Sequence, residues 1–102
     1  MQYHPVLLPA ECHDMSDIRR EIDHIDYTVI QLLSARFNYV KTASKFKKNA
    51  TDVQATERFN SMLEKRKQWA DEMGLNGEVI KALYADLVNY FIAEELKEFE
   101  SK

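Results

Sequence analysis

From Ala10 to Met73 the chain runs for 64 residues without a glycine or a proline. Pro5 and Pro9 precede this stretch, and Gly74 and Gly77 follow it. Both residue types interrupt helices, glycine through backbone entropy and proline through its missing N–H, so their exclusion predicts an all-helical chain. Within the stretch, Ile18, Ile22, Ile25, Val29 and Leu32 recur at spacings of three and four, continued by Ala43 and Phe46. That period marks one buried face of a long first helix. Asp14 or Ser16 is placed to cap it, and Asp17 and Glu21 suit its positive end. The pattern predicts a helix reaching about Lys48, roughly 45–50 Å long.

Residues 49–56 are small and polar and read as a connector. Thr51 with Gln54, or Asp52 with Thr56 and Glu57 nearby, offers caps for a second helix. Its apolar face is Ala55, Phe59, Met62, Leu63, Trp69, Ala70 and Met73, with Arg66 packing its stem and sending its head to water. Gly74 is a natural stop. Asn76 caps a third helix that extends to about Phe99, with Ile80, Leu83, Tyr84, Leu87, Val88, Phe91, Ile92, Glu95, Leu96 and Phe99 on its stripe. A length of 102 residues fits one domain. We divide it into an irregular N-terminal arm, residues 1–15, and a helical domain, residues 16–102.

The first helix is longer than either of the others, and its stripe runs its whole length. Two shorter helices of the same chain, roughly 28 and 34 Å, cover it only in part. An intertwined homodimer is the expected arrangement.

Arg36 stands on that stripe, where a guanidinium costs several kcal/mol unless something negative meets it. Lys47 follows eleven residues later, within roughly 20° on the same face. No acidic residue occurs between Tyr27 and Thr51, although Arg36, Lys41, Lys45, Lys47 and Lys48 all do. Two readings stay open. Arg36 pairs with Glu57 or Glu95 from another helix, or this cationic stretch takes a small polyanion such as a dicarboxylate. Glu95 is the mirror case, an acid on an apolar stripe. It is a counter-ion for Arg36 or Lys47, a protonated carboxyl that donates to a ligand, or a partly exposed group near the helix end. Arg19 lies seventeen residues before Arg36, about 25 Å along a straight helix. The two arginines serve one small ligand only if Arg19 comes from a second subunit. Arg58 is a fourth, weaker candidate.

Other chemistries find no support. A net charge of −3 argues against a dedicated nucleic-acid binder. Cys12 is the single cysteine, so no intrachain disulfide forms and a reducing cytoplasm is expected. No run approaches the ~20 apolar residues of a membrane span. His4, His13 and His24 lack metal-site spacing, no glycine-rich loop could cradle phosphates, and no Ser or Cys has a histidine in register. An enzyme built this way uses no metal, cofactor or covalent intermediate. It holds and polarises a substrate that reorganises internally.

Asp17-Ile18-Arg19-Arg20-Glu21-Ile22-Asp23-His24-Ile25-Asp26, Leu33-Ser34-Ala35-Arg36, Val40-Lys41 and Lys47 resemble the all-helical, type II chorismate mutases. The segments Tyr39 to Lys47, Glu57-Arg58, Met62-Leu63, Trp69-Ala70, Gly74-Leu75 and Ile92-Ala93-Glu94 resemble their offshoot, the isochorismate pyruvate-lyases. The resemblance spans about residues 12–98. It implies an intertwined dimer of three-helix subunits with two equivalent sites and no cofactor. Arg19 from the partner and Arg36 would clamp the substrate's two carboxylates, and Lys47 would stabilise charge on the ether oxygen as its C–O bond breaks. Val40, Met62 and Ile92 would form apolar walls, with Glu57 and Glu95 completing the contacts. Lys47 and residues 48–56 would close over the ligand.

Two positions depart from the mutase pattern. Thr56-Glu57 replaces an Arg-Glu pair, as in the lyase branch, and Glu95 stands where glutamine is usual, although some eukaryotic mutases have glutamate. The implied function is conversion of isochorismate to salicylate and pyruvate, with weak chorismate mutase activity. A plain chorismate mutase and a non-catalytic helical dimerisation module are the alternatives.

Overall fold

A computed structural model describes residues 3–49 and 56–100. Three α-helices run through them: α1 (Met15–Ala43), α2 (Thr56–Glu72) and α3 (Gly77–Glu100). Short 3-10 turns occupy Pro9–Glu11 and Ser44–Phe46. Among the described residues there is no strand, and no helix is long and apolar enough to cross a membrane. The caps proposed at Thr51, Asp52 and Gln54 fall outside the described residues. The chain divides into two compact units, Met1–Asn38 and Tyr39–Lys102.

In the first unit the Asp14 carboxylate accepts from Asp17 N at 2.9 Å, and Asp17 in turn accepts from His13 N at 3.0 Å. This reciprocal cap satisfies donors that a helix start leaves open, and it selects Asp14 over Ser16. The arm doubles back on α1. Tyr3 Oη donates to Glu21 Oε2 at 2.7 Å, and the amides of Val6 and Leu7 donate to Glu21 Oε1 at 3.0 and 2.7 Å. The Tyr3 ring meets His24 edge-on at 5.4 Å. Glu21 and Thr28 are the buried residues of α1, and Thr28 Oγ1 donates to His24 O at 2.9 Å.

In the single chain the side chains of the stripe are exposed: Ile22 50%, Ile25 38%, Val29 45% and Leu32 43%. The arm is bonded at Glu21, on the flank beside the stripe, and leaves these side chains bare. Helix α1 also stops at Ala43, short of Lys48. No breaker residue ends it. Ser44, itself buried, turns its hydroxyl back to Lys41 O at 2.7 Å as the chain tightens into a 3-10 turn. Such local bonding of a serine to the backbone competes with continued helix.

In the second unit α2 and α3 pack as an antiparallel hairpin around Leu63, Ala70, Val88 and Phe91. The turn between them is specified residue by residue. Gly74 takes φ +84°, Leu75 N reaches Ala70 O at 2.9 Å, and Gly74 N reaches Asp71 O at 3.2 Å. These are the two bonds of a Schellman stop, which needs the left-handed conformation that glycine adopts without strain. Asn76 Oδ1 then accepts from Glu78 N at 3.0 Å and caps α3. Asp71 reaches across from α2 to accept from Gly77 N at 2.8 Å. Further along, Lys81 bonds Glu64, and the Arg66 guanidinium lies 4.8 Å from the Trp69 ring and 5.9 Å from Tyr84. The head of Arg66 therefore rests on aromatic faces, where the sequence had suggested water.

Candidate active site

The 3-10 turn Ser44–Phe46 seats against α3 and closes with Lys47 N donating to Ser44 O at 3.4 Å. Its seat delivers Lys47 to Glu95. The ammonium lies 3.8 Å from Glu95 Oε1, an ion pair at longer than hydrogen-bond range. Glu95 is only 6% exposed, and its Oε1 has no hydrogen-bond partner among the described residues. Burial raises its pKa above the ordinary carboxylate value, and the nearby Lys47 charge pulls partly the other way. Of the open readings for Glu95, the partly exposed helix-end carboxylate is excluded by this burial.

A buried acid with an elevated pKa beside a buried-edge ammonium can act on a ligand oxygen in two ways. The neutral carboxyl donates a hydrogen bond, and the ammonium supplies positive charge in surroundings drier than bulk water. Phe91 and Ile92, one turn earlier on α3, are buried and half-buried. Val40 and Met62 are half-buried in the same unit, and Glu57 and Arg58 are exposed at the start of α2. The remaining expected site residues belong to the first unit, Arg36 half-buried and Arg19 exposed on α1. The closing segment expected over the ligand falls largely on residues 50–55, outside the described residues.

Residues 18–96 match the chorismate mutase type II family. The chain belongs to that family. An isochorismate pyruvate lyase of Pseudomonas aeruginosa is 40% identical over 89 residues, which are 87% of this chain and 88% of that enzyme. A T-protein of Haemophilus influenzae is 31% identical over 81 residues, which are 78% of this chain but 20% of that protein. The matched span contains Arg19, Arg36, Val40, Lys47, Glu57, Met62, Ile92 and Glu95, so every expected site residue lies in the part of the chain that defines the family.

Glu21 is the residue that pattern reading undervalued. Its position suggests only a favourable charge near the helix start, yet it is buried and accepts three hydrogen bonds. The available signal was its place at the edge of the apolar stripe, three residues after Ile18 and four before Ile25.

Proposed function

We propose that this chain is an isochorismate pyruvate-lyase, converting isochorismate to salicylate and pyruvate without a cofactor, with weak chorismate mutase activity at the same site. The likeness to the Pseudomonas aeruginosa lyase supports the choice of reaction. The site reading is carried by one observation, the Lys47 ammonium poised 3.8 Å from the buried Glu95 carboxyl. The reaction balances with no added reagent. The ether C–O bond breaks, a ring hydrogen moves to the enolpyruvyl methylene to make the pyruvate methyl, and the ring becomes aromatic. The protein's task is to fold the enolpyruvyl arm over the ring and to stabilise charge gathering on the ether oxygen.

In this reading Lys47 meets the ether oxygen, and neutral Glu95 donates a hydrogen bond beside it. Arg36 binds one substrate carboxylate, and Arg19 from a second copy binds the other. Val40, Met62 and Ile92 form the apolar walls, and Glu57 contributes at the rim. An ionised Glu95 would repel the dianion, so its elevated pKa favours the form that binds.

A homodimer built on the α1 face supports both the sharing of Arg19 and the exposure of Ile22, Ile25, Val29 and Leu32. Residues 16–102 are the proposed catalytic domain, preceded by the arm. A reducing compartment such as the cytoplasm suits the single cysteine, Cys12.

Purified protein supplied with isochorismate should release salicylate, followed by its fluorescence, with an equal amount of pyruvate. Prephenate from chorismate at a higher rate than salicylate from isochorismate would instead make the chain a mutase. Neither product, with no thermal stabilisation by salicylate, would reduce it to a helical dimerisation module.

A further inference from the structure

The arm is given no task by the proposed reaction. Its bonding is nonetheless almost continuous. Leu8 N donates to Glu11 Oε1 at 2.7 Å, Glu11 N returns to Leu8 O at 2.8 Å, and Cys12 N reaches Pro9 O at 3.3 Å. The Asp14–Asp17 cap follows. From this hook the chain runs back along α1 to Glu21 and His24, where Tyr3, Val6 and Leu7 are held. One carboxylate thus gathers three donors spread over five residues of arm.

We infer that Glu21 is a positioning residue for Arg19: by strapping the arm to α1, it fixes the helix turn that presents that arginine. The inference rests on the proposed site, in which Arg19 holds a substrate carboxylate. Arg19 is the fifth residue of α1, in the part of a helix that frays most readily. Glu21 follows it by two positions, so the two side chains leave the helix about 200° apart. The strap therefore grips the turn from behind and leaves the Arg19 side clear. Charge-assisted bonds donated by backbone amides to a buried carboxylate are stronger than neutral ones, which suits them to hold a helix end in one place. The edge-on contact of Tyr3 with His24 extends the grip by one further turn. An arginine that is already ordered loses less entropy on meeting its ligand, and the effect falls on binding before chemistry.

Glu21→Ala and the milder Tyr3→Phe test this with three readouts. Chymotrypsin should cut the freed arm after Tyr3 or Leu7 faster than in the parent protein. The KM for isochorismate should rise about five- to tenfold for Glu21→Ala and less for Tyr3→Phe, with kcat held within about twofold. In an Arg19→Ala background, adding Glu21→Ala should leave KM where Arg19→Ala put it, because the two act through one contact. A released arm with an unmoved KM, or an undiminished Glu21 effect in the Arg19→Ala background, overturns the inference while the proposed site stands. A normal KM for Arg19→Ala itself removes that part of the site, and the inference with it. Should Glu21→Ala fail to fold, Tyr3→Phe carries the same three readouts.

Discussion

The two units of this chain solve the burial problem in opposite ways. In Tyr39–Lys102, the buried positions include Leu63, Ala70, Val88 and Phe91, and one acid, Glu95, is enclosed beside Lys47. In Met1–Asn38, the buried positions of α1 are Glu21 and Thr28, while Ile22, Ile25, Val29, Ile30 and Leu32 face outward. Helix α1 thus hides polar groups and shows its isoleucines. The contrast teaches that the second unit carries its own core, whereas the first keeps an apolar face exposed, the face we propose for a second copy of α1.

Aliphatic truncations probe the contrast most strongly. Leu63→Ala should cost about 2–5 kcal/mol of folding stability through its cavity, seen as a lower thermal midpoint at every protein concentration. A variant that melted like the parent would show that the hairpin core is looser than its burial suggests. Lys47→Ala should lower kcat/KM about a hundredfold or more, equivalent to roughly 3 kcal/mol, with little change in melting. Near-normal turnover would remove Lys47 from the chemistry. Val29→Asp should act on the other region by placing a charge on the face proposed for a second copy. It should shift sedimentation toward monomer, with the dimer weakened by about 2 kcal/mol or more, and unchanged sedimentation would locate the interface elsewhere.

Smaller effects sharpen the same comparison. Gly77 sits where a Cβ would press on the Asp71 carboxylate and stand 2.7 Å from Lys67 O. Gly77→Ala should therefore destabilise the hairpin by about 1–3 kcal/mol, measured by urea unfolding, without altering association. Glu95 and Glu21 should respond to pH in opposite senses. Burial raises the folded pKa of Glu95, so the charged form opposes folding and ligand binding as pH climbs from 4.5 through that raised value. Activity should fall across that window, and Glu95→Gln should flatten the fall; an unchanged profile would assign it to another group. The Tyr3 hydrogen bond, with those from Leu7 and Val6, lowers the folded pKa of Glu21. Its contribution is therefore present above pH 4.5 and lost as pH drops through the lowered value, which proteolysis of the arm would report.

Much of this was legible in residue order. The breaker-free stretch predicted a long first helix, and Gly74 and Asn76 marked the stop and start of the hairpin, where both are found. Lys47 was among the partners considered for Glu95, and the two do pair. The early end of α1 was not legible, because no breaker marks it and a serine bonds back to the backbone, as Ser44 does to Lys41 O, in only some of the helices that contain one. Neither was the reach of Asp71 from α2 to Gly77, nor the three donors on Glu21. The bonds to Gly77 and Glu21 join residues from six to eighteen positions apart, beyond the span of helical periodicity.

Sequence alone determined the local terms: which segments are helical, where the hairpin turns, and which charges sit among apolar neighbours. Backbone propensity and side-chain period act over a few residues, so they can be read without coordinates. Tertiary structure decided which acid is enclosed beside Lys47, which carboxylate receives the arm, and that the α1 stripe lies open. Those outcomes depend on burial and on hydrogen bonds between distant residues, which exist only once the chain has folded.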